Sequence, residues 1–212
     1  PVAPPAPKPL DPNLAAITGA YAPLNSLVQS LAQLWEPGLK LSGGEKACVS
    51  LRRSQLECLK GNAEWGDLQT SNLPVILTLN LGGTLRYVLL RELSDDQATL
   101  LGPKGTVKVP LSSLDPLWSG EYLLLWQRET DEVLIGPDTR GEPILWLRKR
   151  LAQRLGISYS EDPTWDEELR KNVQRAQTAM GTQPDGIAGP RTLMGLSSQP
   201  GPVLTPRGQS TP

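Results

Sequence analysis

Proline and glycine placement limits this chain more than any other feature. The 212 residues include 21 Pro and 20 Gly, many of them gathered at the two ends. Proline fixes φ and has no N–H to donate, so a stretch dense in it joins neither a helix interior nor a central strand. Residues 1–13, PVAPPAPKPLDPN, are therefore expected to be a Pro-rich linker, and residues 197–212 a mobile, disordered tail. The opening has no signal-peptide pattern, and a chain that starts inside such a spacer is expected to be a piece of something longer. The modest apolar share, 38%, has the same source. What remains is long enough for one large domain or two small ones with a real core.

Inside the ends the same residues act as punctuation. Leu24, Leu27, Val28, Leu31 and Leu34 recur at helical spacing, and Trp35-Glu36-Pro37-Gly38 closes that helix. A short helix holds Cys48, and another lies near Trp65–Thr70. Pro74 then opens a strand, PVILTLNL, and Gly82-Gly83 makes a tight turn into its partner, LRYVLLREL. ATLLG, TVKVP and EYLLLWQ follow, bounded by Gly, Pro and Asp. Helices first and an antiparallel sheet after them make an α+β layout.

A second block, about 140–196, reads as helical. Ile144, Leu147, Leu151 and Leu155 form one stripe, ended by Gly156 as a left-handed cap. Thr164-Trp165-Asp166-Glu167 reads as a capping box with Thr164 as the cap. Trp165, Leu169, Val173, Ala176 and Met180 form the next stripe. Asp185-Gly186 marks a turn, and Pro190 suits the first position of a short last helix. Trp118 and Trp126 are expected in the core, with Trp165 packing inward.

Composition narrows the chemistry. There is no histidine, so Ser–His–Asp and Cys–His catalysis lack their base, and two cysteines alone cannot make a four-thiolate zinc site. No metal or other cofactor is expected. Glycosidase-type chemistry on carboxylates survives the count. However, Asp95-Asp96, Asp131-Glu132 and Glu161-Asp162 are adjacent pairs in polar turns, where neighbours face apart. A net charge of −1 gives no footprint for nucleic acid and no polybasic membrane cluster. No apolar run reaches ~18 residues, so no membrane segment is expected. Leu41-Ser42-Gly43-Gly44-Glu45 looks like an ATPase signature loop, but no phosphate-binding loop accompanies it. Cys48 and Cys58 fit a disulfide in an oxidising compartment, and by count alone two reduced core thiols fit almost as well.

The second block, from ILWLRKRLAQRLGI to AMGTQPDGIAGPRTLMGL, resembles the helical peptidoglycan-binding domain of cell-wall enzymes. The matching positions are Asn172-Val173, Ala176-Gln177, Gly181, Asp185-Gly186-Ile187, Gly189 and Thr192, with Ala176 where Phe is usual and Thr182 where Leu is usual. Gln177, Asp185 and Arg191 are the candidate contacts, since each can hydrogen-bond or pair with a polar wall polymer. The first block, from PVIL to SGEYLLLW, resembles the papain-like C39 cysteine peptidases of bacteriocin-processing transporters. Carried onto this chain, the family's nucleophile falls near Ile17–Tyr21, where no Cys stands; its His falls on Arg86, and its Asp on Gly102. The resemblance therefore implies a pseudo-peptidase.

The two in this order, after a Pro-rich spacer, resemble the periplasmic region of the A-component family of the type II (general) secretion pathway. That resemblance implies a fold class of α+β, with a degenerate C39-like domain at 14–135 and a small three-helix peptidoglycan-binding domain at 136–196. It also implies a periplasmic place within an inner-membrane-anchored protein whose ATPase lies outside this chain, and no enzymatic activity here. The implied partners are peptidoglycan and the B component of the same pathway, with self-association as an alternative, and the implied role is secretin transport and assembly. A periplasmic place favours the Cys48–Cys58 disulfide, and ten residues of straight helix would hold those cysteines ~15 Å apart, so VSLRRSQLE must turn back. The rival readings are a carboxylate-based wall hydrolase and a spacer that has lost wall binding.

Overall fold

The computed structural model describes residues 10–19, 23–41, 46–102, 105–198 and 201–204. Most of the expected linker, Ala20 and Tyr21, the Ser42–Glu45 loop, Pro103 and the last eight residues lie outside them. The described chain forms two compact units. The first runs to Ser50, resumes over Lys60–Leu125 and includes 201–204; the second joins Leu51–Leu59 to the stretch from Trp126 to Ser198.

In the first unit, α1 (Pro12–Thr18) begins inside the expected linker. Asp11 Oδ1 accepts from the N–H groups of Asn13 and Leu14, and Pro12 stands where its missing N–H costs nothing. α2 (Leu24–Trp35) buries Leu27, Val28, Leu31 and Ala32, one face of the expected stripe. After α3 (Ala47–Ser50) a 3-10 turn over Leu51–Ser54 and a left-handed Gln55 (φ 57°) reverse the chain into β1 (Leu56–Asn62). That reversal lets Cys48 and Cys58 join in a disulfide, as expected.

The rest of the sheet follows the expected strands. α4 (Trp65–Ser71) leads to β2 (Val75–Leu81), β3 (Thr84–Leu93), β4 (Gln97–Gly102) and β5 (Gly105–Pro110). A single helical turn, α5 (Leu111–Leu114), then precedes β6 (Trp118–Gln127). The spatial order is β1-β6-β2-β3-β4-β5, with antiparallel pairing from β6 through to β5. Gly82 (φ +61°) and Gly83 (φ +87°) close the β2–β3 hairpin, where Leu81 pairs with Thr84. Two successive positive φ values are what a two-residue hairpin turn needs. Val88, Leu89 and Leu90 are buried in succession, so mid-strand β3 is covered on both faces. α2 packs on β2 and β3, and α1 on β5. Trp118 and Trp126 are buried, as expected.

Two expectations about the ends are corrected. Residues 201–204 belong to the first unit: Leu204 is 1% exposed, its N–H donates to Asn72 O at 2.8 Å, and Gly201 lies against Trp35 and Leu73. Ser197 Oγ and Ser198 N–H donate to Glu129 Oε1, each at 2.7 Å. Both stretches are held by specific bonds and burial, which a reading from Pro, Gly and Ser content does not see.

The second unit holds α6 (Glu142–Leu155), α7 (Glu167–Ala179) and α8 (Pro190–Leu196). Gly156 (φ +65°) ends α6 in the left-handed conformation, as expected. The cap of α7 is Asp166, whose Oδ1 accepts from Leu169 N–H at 2.7 Å, and not Thr164. Thr164 is already used: it bridges to Arg140, and its carbonyl accepts from Arg148 at 3.0 Å. Arg148 is buried and also reaches Asp162 O and Asp166 Oδ2, pinning the loop between α6 and α7. Ile135, expected at the end of the first domain, is fully buried here and exchanges two backbone hydrogen bonds of 3.0 Å with Ala188. Glu129 gathers Ser197, Trp146 Nε1, Ser198 N–H and Arg150 around one carboxylate. Burial pushes its pKa up, but those four partners outweigh that and hold it at about 2.

Candidate functional site

The DGIAGPRT segment forms one wall of a groove of about 380 Å³ in the second unit. Its shape depends on Gln177. This side chain is 2% exposed, on α7, and its amide makes four hydrogen bonds within the protein. Nε2 donates to Asp185 Oδ1 (2.8 Å), Ile187 O (2.9 Å) and Thr192 Oγ1 (3.1 Å), and Oε1 accepts from Gly186 N–H (2.9 Å). One amide thus ties α7, the turn and α8 together. Only the carboxamides Asn and Gln offer two donors and an acceptor on one fork, and Gln has the extra methylene of reach from α7 to the turn. Gly186 has φ +78°, a torsion that favours glycine, and a Cβ there would sit 3.0 Å from Arg170 Cγ, so that side chain would have to shift.

Asp185 is exposed on the rim. Its Oδ1 accepts from Ile187 N–H at 2.8 Å as well as from Gln177, and these two bonds hold its carboxyl below the usual range. Its Oδ2 has no hydrogen-bond partner among the described residues. Arg191 is exposed on the same groove, and its guanidinium has no hydrogen-bond or ion-pair partner among them either. Leu59, Leu134, Ile187 and Pro190 make the aliphatic side. The structure therefore brings Gln177, Asp185 and Arg191 to one groove and separates them: Gln177 builds it, while Asp185 and Arg191 present free polar atoms. The aliphatic side, from Leu59 and Leu134 far away in sequence, carried no signal that motif reading could use.

In the first unit, Arg86 is half-buried near the start of β3. Its Nε donates to Thr18 O at 3.2 Å and its Nη1 to Leu85 O. Arg86 is thereby joined to the end of α1, the stretch where the resemblance puts the nucleophile. Gly102 ends β4 and pairs with Gly105. Among the described residues no three His, Cys, Asp or Glu side chains gather as a metal site, and no helix is long and apolar enough to cross a membrane.

Fold and groove together define a class: an α+β, C39-peptidase-like domain followed in sequence by a three-helix peptidoglycan-binding-type domain. Residues 21–128 match the model of the GspA peptidase C39-like domain, and residues 140–196 match that of a putative peptidoglycan binding domain. The chain belongs to the GspA C39-like family. General secretion pathway protein A of Aeromonas hydrophila is 32% identical over 204 residues, 93% of this chain and 37% of that one. The putative general secretion pathway protein A of Escherichia coli (strain K12) is 29% identical over 160 residues, 75% and 33% of the two chains. The chain thus spans about a third of the length of these relatives. A crystal structure of a periplasmic domain of the EpsAB fusion protein of the Vibrio vulnificus type II secretion system matches with a TM-score of 0.58 at 27% identity. The match covers 89% of this chain and 84% of that one.

Proposed function

We propose that this chain is a non-catalytic periplasmic module of type II secretion. It binds peptidoglycan through residues 140–196 and its partner, the B component, through residues 14–135, and so supports transport and assembly of the secretin. The observation that carries this reading is the groove. A family model for peptidoglycan binding falls on a fold where buried Gln177 shapes a groove, with Arg191 and one oxygen of Asp185 on its rim unpaired among the described residues.

Three facts support the absence of catalysis. There is no histidine, both cysteines are in a disulfide, and an arginine that cannot act as a base at neutral pH stands in the His position. Arg86 is spent on Thr18 O, a structural bond in the place where a peptidase would pair thiolate and imidazole. The test is incubation of the full chain with purified sacculi and with Gly-Gly-containing peptides. The reading predicts co-pelleting with sacculi and no released fragments. Turnover that survives repurification, or a chain left wholly in the supernatant, would contradict it.

A further inference from the structure

We infer that the groove takes the peptide stem of peptidoglycan and not its glycan strand. This deepens the wall-binding reading and rests on it. Pyranose rings are held by flat aromatic faces, against which their axial C–H groups stack, together with forked polar groups. Among the described residues no aromatic side chain lines this groove. Its apolar side is aliphatic: Leu134, which is 52% exposed, Ile187 and Pro190, with Leu59 below. Branched aliphatic walls suit methyl groups, and alanine residues supply those along a stem.

Charge points the same way. A glycan strand of N-acetylated sugars offers hydroxyls and amides. A stem offers free carboxylates, on its γ-linked glutamate, its diamino acid and its terminus, and one ammonium. Arg191 is a cation on the groove with no partner of its own among the described residues, matched to a carboxylate. Asp185 keeps Oδ2 open while Gln177 and Ile187 N–H fix its orientation, matched to the ammonium. One anion fixed on the loop and one cation at the start of α8, beside an aliphatic wall, suit a zwitterionic peptide.

The same unit shows what a sugar platform would look like, in another place. Tyr159 is the one aromatic among the described residues that is exposed, at 48%. It lines a separate open hollow with Lys149, Gln153 and Ile157. The glycan alternative therefore has its own residue and can be tested apart.

The experiment is competition against intact sacculi, with the full chain in the pelleting assay. The competitors are the free tetrapeptide L-Ala-γ-D-Glu-meso-diaminopimelate-D-Ala and glycan strands stripped of peptide by an amidase. The inference predicts that the tetrapeptide displaces the chain and the stripped glycan does not. Arg191→Gln weakens tetrapeptide competition tenfold or more with an unchanged melting temperature, Arg191→Lys restores part of it, and Tyr159→Ala leaves it unaltered. Displacement by stripped glycan alone, with loss of pelleting in Tyr159→Ala, would overturn the inference while leaving wall binding intact. No pelleting of the unaltered chain would overturn wall binding itself, and the stem assignment with it.

Discussion

Gln177 shows how one side chain can carry a motif. Three of its four hydrogen bonds go to buried or half-buried groups, so Gln177→Ala takes their partner from the Gly186 N–H and the Thr192 hydroxyl. The expected cost is about 2–4 kcal/mol, read as a lower urea midpoint. Gln177→Glu should cost at least as much, because it sets a carboxylate against Asp185 Oδ1. Glu129 gives a pH signature. Its folded pKa of about 2 lies below the ordinary 4.5, so its contribution is full above pH 4.5 and lost as pH falls through about 2. A shift of that size is worth about 3 kcal/mol. Urea midpoints between pH 6 and pH 2.5 should therefore fall more steeply for the unaltered chain than for Glu129→Gln. Equal slopes would show that the four partners of Glu129 do not favour its charged form.

At the scale of elements, the turn between Cys48 and Cys58 governs both the fold and its strength. The closed loop is short, so reduction should cost about 2–3 kcal/mol in the chain-entropy account, seen as a lower melting temperature in reductant with two thiols appearing by mass. Gly120, with φ +95° and Ala63 O only 2.8 Å from where a Cβ would stand, makes a second test: Gly120→Ala should destabilise by about 1–3 kcal/mol. The sequence was most legible where apolar runs meet strong punctuation. PVILTLNL and LRYVLLREL around Gly82-Gly83 had one reading. β1 was missed because LECLKGN carries Glu, Lys, Gly and Asn in seven residues, and its place in the sheet comes from β6 beside it. The start of α7 was misplaced because Thr164 and Asp166 are both good caps, and only Arg140 and Arg148, far back in the chain, decide between them. Gln177 was legible as a motif position but not as a buried one, since a motif gives spacing and not solvent exposure.

For the whole molecule, the ends and the partners matter. Leu204 fills a place in the first unit, so Leu204→Ala should lower stability by about 2–3 kcal/mol, and truncation after Ser198 by a similar amount. A tail without contacts would show neither effect. The partner proposal rests on a sheet that keeps its full strand pattern while the positions that the C39 resemblance assigns to His and Asp hold Arg86 and Gly102. Titrating the periplasmic domain of the B component into the full chain by calorimetry should give saturable heat. The central claim is that the chain grips the cell wall without cutting it. The most direct measurement is sedimentation of the full chain with purified sacculi, with the supernatant analysed for released muropeptides. The account predicts saturable pelleting and a supernatant no different from buffer. A chain that stays in solution at every sacculus concentration, or one that releases soluble fragments in proportion to its own amount, would contradict it.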